Sequence, residues 1–304
     1  MKNILSVSDS YEGTLLDVKR STASIRGFGM EPFIAVSEYV HSDGSSDSAD
    51  IGDTLDFCFG GNDPDAVFIG FIKDPGNAMV IASKLAGYDP ATVVSDPSII
   101  SEQGEVWMSE ETYNVISTSL FDMSSHIIIN HFEAELLSGF ECKTRFDFER
   151  AVRKLHNCFR AAVYIKGCSL TGNKGVFCDG SFLEWIDDDR SKADPALSFG
   201  NALCCELALG SEGAKAITNA IYFTVNGHRI SEAMEVPQVA PSLISPAKSL
   251  RDIARSIDTL AASAATAKKG TVSELRMPSQ NTDNSLSELA DIRKRLEELK
   301  KSSM

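Results

Sequence analysis

The chain has 304 residues, a formal net charge of -14 at pH 7 and a mean hydropathy of -0.08, which fits a soluble protein with a sizeable core. Its acidity argues against nucleic acid or an anionic membrane as the main partner. No stretch reaches the length of a membrane span, and the first residues turn polar after two apolar ones, so we predict neither a transmembrane helix nor a signal peptide.

Seven cysteines are spread along the chain, and no pair has the spacing of a zinc knuckle. An odd number without such spacing favours reduced thiols, which predicts a cytoplasmic protein. Cys204 and Cys205 are neighbours in an apolar helical stretch, where we expect them to pack in the core rather than to react.

Short β-rich runs alternate with helical stretches in the first third of the chain. Strands are predicted at 3–8, 33–36, 66–71 and 92–95, and helices at 14–26, 51–59 and 76–85. This alternation is typical of a parallel, doubly wound sheet, whose ligands collect at the carboxyl ends of the strands. Residues 41–50 are rich in Ser, Asp and Gly and are predicted to form a flexible loop.

Polar residues follow the first strand. Ser8, Asp9 and Ser10 can hydrogen-bond a ring substrate, although an ordinary capped helix start explains them equally well. Asp96, with Pro97, follows the strand at 92–95. It is placed either to orient Mg²⁺ or phosphate through water, or simply to form a turn.

Residues 125–139 combine a buried strand with an abrupt polar turn. Three isoleucines, 127–129, form the strand, and Asn130 ends it; Glu133 then opens a helix that stops at Gly139. A carboxamide and a carboxylate three residues apart can hold a hydrated cation or the waters around phosphates. The alternative is that Asn130 closes the turn and Glu133 favours the helix N-terminus.

After an amphipathic helix at 146–159, a strand at 162–166 ends in Lys166 and Gly167. Lys166 either faces phosphates or is a solvated strand end. Asp179-Gly180 predicts a two-residue hairpin between strands at 175–178 and 182–185. Asp187, Asp188 and Asp189 are expected in a solvated acidic turn.

Three of these segments resemble the pyridoxal kinase and hydroxymethylpyrimidine kinase branch of the ribokinase superfamily: NHFEAELLSG at 130–139, VVSDPSIISEQGEVWMSEE at 93–111 and VYIKGCSLTG at 163–172. The resemblance runs from about residue 3 to about 232, so residues 1–232 are predicted to form one kinase-like domain. It implies a ribokinase-like three-layer α/β/α sandwich with a mostly parallel central sheet.

The same resemblance implies a site for ATP and Mg²⁺. It assigns Asp96 and Glu133 to the metal, and Asn130, Glu133, Lys166 and Gly167 to the nucleotide. Asp9 and Ser10 would contact a small heteroaromatic substrate, either a B6 vitamer or a pyrimidine.

The family's catalytic turn is a Gly-x-Gly-Asp or Gly-Thr-Gly-Cys segment. Its N–H groups bind the transferring phosphoryl group, and its last residue is the general base. Here SFGNALCCELALG at 198–210 aligns on the following helix, so the turn reads 194–197 and Leu197 stands in the position of the base. An alternative register puts Phe199, Gly200 and Asn201 on the turn, and Asn201 is no better as a base. Asp194 acting from an altered position is the remaining candidate.

The sequence therefore predicts a kinase-like homologue that binds a nucleotide, a heteroaromatic ligand or a protein partner, with weak or no phosphotransfer. The alternative is an active ATP- and Mg²⁺-dependent kinase that phosphorylates the hydroxymethyl group of a B6 vitamer or hydroxymethylpyrimidine with a displaced base.

Residues 233–304 are predicted to form a linker and a helical C-terminal extension. Its last helix carries leucine and isoleucine at 289, 292, 296 and 299 behind a capping box. It either packs on its own domain, pairs in a homodimer or binds a protein partner.

Overall fold

The computed structural model describes residues 1–230, except 12–15, 42–44, 49 and 62. The predicted C-terminal extension lies outside the described residues. Its helices, its role in a dimer and the domain boundary at 232 therefore remain predictions.

The described residues form nine strands in one sheet and eight α-helices. The strands are β1 (Asn3–Tyr11), β2 (Glu31–Val40), β3 (Ser46–Ser48), β4 (Ala66–Ile69), β5 (Val93–Ser95), β6 (His126–Ile129), β7 (Ala162–Cys168), β8 (Lys174–Cys178) and β9 (Leu183–Asp187). The helices are α1 (Leu16–Gly27), α2 (Ile51–Gly61), α3 (Pro75–Tyr88), α4 (Glu110–Val115), α5 (His131–Ser138), α6 (Arg145–Phe159), α7 (Phe199–Ala208) and α8 (Gly213–Asn226). In this part of the chain, no helix combines the length and apolar character of a membrane span.

The strand order is β3-β2-β1-β4-β5-β6-β7-β8-β9. The six parallel strands are neighbours in this order: β2, β1, β4, β5, β6 and β7. Crossover connections are right-handed, so α1 covers one face and the helices from α2 to α6 cover the other. Helix α7 packs against α1 and α8, which completes the first layer. The predicted three-layer sandwich is confirmed. The order in which successive strands are added to the sheet reverses at β1, and the crevice at such a switch point is the usual ligand site.

Helix α7 is buried against the centre of the sheet. Every residue from Phe199 to Glu206 is buried, and a side chain on Gly200 would overlap the ring of Phe68. Cys204 and Cys205 are both in this core, as predicted, and burial raises the pKa of each thiol. The helix is therefore held in a fixed position relative to the strand ends.

Two local predictions at the sheet edges are wrong. Residues 41–50 are not all loop, because Ser46–Ser48 pairs antiparallel with the end of β2. The β8–β9 connection has four residues rather than two, since Cys178 pairs with Leu183. Asp179 shapes this connection by accepting hydrogen bonds from the N–H groups of Ser181 and Phe182, at 2.9 and 2.8 Å.

Candidate functional site

A cavity of about 890 Å³ opens at the carboxyl ends of the parallel strands. Its wall is built from strand ends, the loop after β5, helix α1 and the first turn of α7. The wall residues that bear on function are Ser8, Tyr11, Arg20, Ser21, Phe71, Lys73, Asp96, Glu102, Trp107, Asn130, Lys166, Arg190, Ser198, Phe199 and Gly200. The cavity therefore occupies the crevice that the topology predicts.

Asn130 and Glu133 form a capping box at the start of α5. Asn130 Oδ1 accepts from the Glu133 N–H at 3.0 Å, and Glu133 Oε2 accepts from the Asn130 N–H at 2.8 Å. Both side chains also bind Ile100 in the loop after β5: Glu133 Oε1 accepts from its N–H at 3.2 Å, and Asn130 Nδ2 donates to its carbonyl at 2.5 Å. The pair thus ties the α5 start to the cavity loop.

Glu133 is fully buried behind Asn130 and does not line the cavity, whereas Asn130 does. Burial raises the pKa of the Glu133 carboxyl to about 7, against the opposing effects of Lys166 and of the hydrogen bond from the Asn130 N–H. Direct binding of a metal by Glu133 would have to displace its two backbone donors.

Asp96 and Lys166 form an ion pair in the cavity wall. Lys166 Nζ lies 2.9 Å from Asp96 Oδ1, and the two side chains are only 13% and 14% exposed. The option of a solvated strand end for Lys166 is therefore wrong. We call Asp96, Asn130, Glu133 and Lys166 the strand-end cluster.

The strand-end cluster fits magnesium only as a hydrated ion held by Asp96. The described residues contain no group of three or more side chains with metal-ligand geometry, and both Glu133 oxygens are occupied. Asp96 lines the cavity, and its Oδ2 has no hydrogen-bond partner among these residues. Because Mg²⁺ keeps several of its waters, Asp96 can hold the hydrated ion beside bound phosphates.

Asp188 is buried, so the prediction of a solvated acidic turn is wrong for this residue. Its carboxylate accepts from the Tyr164 hydroxyl at 2.7 Å and the Gly167 N–H at 2.8 Å, and from Arg190 at 2.5 and 2.6 Å. Arg190 in turn lies over the ring of Phe199, with its Cζ 4.5 Å from the centroid, and reaches the cavity. Gly167 supports this network and does not line the cavity.

Residues 194–197 form a separate turn ahead of α7, which we call the pre-α7 turn. The Leu197 N–H donates to the Asp194 carbonyl at 3.0 Å, and Asp194 Oδ1 accepts from the Ala196 N–H at 2.8 Å. The helix itself begins at Phe199, with Ser198 as its N-cap. Ser198, Phe199 and Gly200 reach the cavity, while Asp194 and Leu197 do not. Asn201, the third residue of the alternative register, is fully buried and does not line the cavity.

Leu197 is fixed from two sides. Its side chain packs against the hydrophobic core, and its carbonyl accepts from Arg20 Nε and Nη2 at 3.3 and 3.1 Å. Asp194 is exposed and is used by its own turn. The position that the resemblance assigns to the general base therefore holds no ionisable group aimed at the cavity.

Asp9 and Ser10 lie near the cavity but not in its wall. Asp9 accepts from the Ser37 hydroxyl at 2.5 Å and from the Lys73 N–H at 2.7 Å, and burial raises the pKa of its carboxyl to about 6. The Ser10 hydroxyl is buried and has no partner among the described residues. Their neighbours Ser8 and Tyr11 are the residues of this strand end that reach the cavity.

Sequence reasoning missed the cationic and aromatic parts of the wall. Arg20 and Arg190 come from segments without a motif. Tyr11, Phe71 and Trp107 form a chain of rings, with centroid distances of 6.3 and 6.4 Å. Their polar or turn-rich surroundings gave no periodic signal, and only the fold brings them together.

Comparison with known proteins gives a consistent result. A family model described as phosphomethylpyrimidine kinase matches residues 35–240. The hydroxymethylpyrimidine/phosphomethylpyrimidine kinase of Aquifex aeolicus is 30% identical over 122 residues, which is 39% of this chain and 48% of that protein. The chain spans about half or less of the length of the curated relatives it matches.

Solved structures agree in fold. The phosphomethylpyrimidine kinase of Clostridium difficile 630 is 19% identical, with a TM-score of 0.67 over 75% of this chain and 99% of that chain. An ADP complex of Bacillus subtilis pyridoxal kinase is 23% identical, with a TM-score of 0.63 over 73% of this chain and 90% of that chain. At these identities the likeness confirms the fold expected from the sequence.

Proposed function

The chain belongs to the phosphomethylpyrimidine kinase family, and from that premise we propose that it binds a nucleotide or a small heteroaromatic ligand with weak or no phosphotransfer. The observation that supports the proposal is that Leu197, which the resemblance aligns with the family's base, packs against the hydrophobic core and does not line the cavity. A leucine cannot take a proton from a substrate hydroxyl, and general-base catalysis typically contributes about 10²–10⁴-fold in rate.

The cavity supplies no replacement base in the part of the chain that the structure describes. Its two carboxylates are Asp96, which is paired with Lys166, and Glu102 from the loop after β5. Neither belongs to α7 or to the turn before it. Electrostatic positioning alone leaves the proton of an attacking alcohol without an acceptor at the reacting end.

Ligand binding is supported by the strand-end cluster. Lys166 offers a positive charge at the cavity wall, and Asn130 holds the loop that carries Ile100. The ADP complex of a relative with the same fold makes a nucleotide phosphate the best candidate for this part of the cavity. Magnesium, when bound through water at Asp96, would neutralise phosphate charge.

An active kinase is the second candidate, and one observation favours it. The first turn of α7 still faces the cavity, and although the Ser198 N–H donates to Ser24 Oγ at 2.7 Å, those of Phe199 and Gly200 remain available to an anion. In that case Asp194 or another displaced group would have to act as base.

Calorimetric titration of the full chain with MgATP, alone and with pyridoxine or hydroxymethylpyrimidine, tests the proposal. We expect nucleotide or ring binding without a phosphorylated product in the same sample. Turnover near the usual kinase range of about 1–100 s⁻¹ would establish the active alternative. Absence of binding by every probe would overturn the ligand-binding proposal.

A matched pair of lysine variants locates the binding. Lys166→Met should weaken MgATP binding, because it removes the cation of the strand-end cluster. Lys174→Met serves as the control, since Lys174 pairs with the exposed Asp187 at the sheet edge and does not line the cavity. Equal affinities in the two variants would contradict a nucleotide at the strand ends.

A further inference from the structure

The cavity wall is cationic in an otherwise acidic protein. The chain carries a formal charge of -14, yet among the described residues four basic side chains line the cavity against two carboxylates, Asp96 and Glu102. The basic residues are Arg20, Lys73, Lys166 and Arg190. A concave surface with this charge balance attracts anions.

The two arginines differ in how their charge is compensated. Arg190 is neutralised by the buried carboxylate of Asp188. Arg20 contacts the Leu197 carbonyl and has no carboxylate partner among the described residues. A guanidinium has five N–H groups, and two of those of Arg20 point to this carbonyl. The remaining ones are available to an anion in the cavity.

Arg20 is also next to the first turn of α7, because Leu197 precedes the N-cap Ser198. Ser198 already satisfies the N–H groups of Asn201 and Ala202, at 3.3 and 3.0 Å. The earlier N–H groups of the helix lie in the cavity wall with Phe199 and Gly200. A planar guanidinium beside these donors suits a tetrahedral dianion such as a phosphate monoester.

An aromatic surface completes the same cavity. Trp107 is 52% exposed although it lines the wall, and it meets Phe71 edge-on. An exposed large ring beside Tyr11 and Phe71 provides a face on which a flat ligand can stack. The cavity thus combines a ring-binding surface with a phosphate-binding one.

We propose that Arg20 is a specificity-determining residue that binds the phosphate of a phosphorylated heteroaromatic ligand, so that the cavity prefers the phosphomonoester to the same ring with a free hydroxymethyl group. The inference deepens the proposed function and rests on it, because a protein that holds the phosphorylated ring without turning it over is a binding protein. A nucleotide also ends in a phosphate group, and the test distinguishes the phosphorylated ring from the nucleotide.

Titration calorimetry on the full chain uses two ligand pairs: pyridoxine with pyridoxine 5′-phosphate, and hydroxymethylpyrimidine with its monophosphate. Pyridoxine replaces pyridoxal because an aldehyde would react with lysines in the wall. We expect at least one phosphorylated ring to bind about tenfold or more tightly than its unphosphorylated partner. If neither pair shows this preference, the proposal is wrong.

Variants assign the preference to Arg20. Arg20→Met should abolish it, Arg20→Lys should retain part of it, and Arg26→Met, on the exposed side of the same helix, should leave it unchanged. Thermal unfolding of each variant checks that the fold is intact. A preference that survives in folded Arg20→Met would overturn the assignment.

Titrations with ADP and inorganic phosphate show whether Arg20 binds the phosphate of the ring ligand or that of a nucleotide. If Arg20→Met weakens ADP binding and leaves the phosphorylated ring unaffected, the residue serves the nucleotide and the ester assignment is wrong. A product assay with MgATP separates the two proposals: turnover combined with an Arg20-dependent preference would remove the binding-protein reading and keep the role of Arg20.

Discussion

The strand-end cluster and the region around the pre-α7 turn lie on the same cavity and differ in how their polar groups are used. In the strand-end cluster, each charged or amide side chain is paired with another member or with the backbone of Ile100. Around the pre-α7 turn, Leu197 packs against the core, and the only partner of Arg20 within the described part of the chain is a carbonyl. The strand-end side chains therefore compensate one another, whereas the guanidinium beside the pre-α7 turn has no carboxylate partner among the described residues.

The largest expected effect concerns the buried network beside the start of α7, where Arg190 lies over the ring of Phe199. Asp188→Ala leaves the Arg190 guanidinium and the Tyr164 hydroxyl without their buried acceptor. Breaking a buried pair by removing one partner costs about 3–5 kcal/mol. Urea unfolding followed by circular dichroism should show a loss of this size.

Asp187→Ala is the matched control, because the adjacent carboxylate is 78% exposed and pairs with Lys174 at the sheet edge. This variant should unfold at nearly the wild-type urea concentration. A similar loss of unfolding free energy in both variants would mean that the buried network around Asp188 stabilises the fold no more than the exposed Asp187 does.

The strand-end cluster can be tested through pH. Burial raises the pKa of Glu133 from 4.5 to about 7, so the folded state binds a proton more tightly than the unfolded state. Stability is therefore greatest below about pH 4.5 and falls as pH rises to about 7, by about 3 kcal/mol from this group. Urea midpoints measured from pH 5 to pH 8 report the slope.

Glu133→Gln should flatten this slope, although it lowers stability at every pH because an amide has one acceptor for two backbone donors. Asp9→Asn is the comparison, since the pKa of Asp9 is raised only to about 6 and its part of the slope ends earlier. An unchanged slope between pH 6 and pH 8 in Glu133→Gln would show that another group titrates there.

The same contrast explains what the sequence predicts well. Ile127–Ile129 and the Asn130–Glu133 turn were predictable because strand burial and the capping box are set by neighbours within a few residues. That Leu197 stands in the position of the base rests on residue type and on the alignment with the family's turn, and it stays a prediction.

The parts of the site that the sequence did not predict depend on contacts between residues far apart in the chain. Asp188 stands among three aspartates and reads as solvent-exposed, yet its donors Tyr164 and Gly167 are 24 and 21 residues away. Arg20 meets Leu197 across 177 residues. No local pattern encodes such contacts, so both arginines of the cavity and the buried carboxylate were missed.

The smallest expected effect tests whether the two regions differ by one residue or by their backbone. If the base were the only loss, Leu197→Asp would restore phosphotransfer. The side chain at 197 packs against the core, and its carbonyl is held by Arg20. We therefore expect no gain in product formation and a loss of roughly 1–2 kcal/mol in stability.

Leu197→Met is the control for packing alone and should cost less, because the volume and polarity of the side chain are nearly kept. A gain in MgATP-dependent product of about 10² or more in Leu197→Asp, with no gain in Leu197→Met, would mean that the pre-α7 turn can still present a base to the cavity. The difference between the two regions would then come from a single side chain, and the helix start at Phe199 would not limit catalysis.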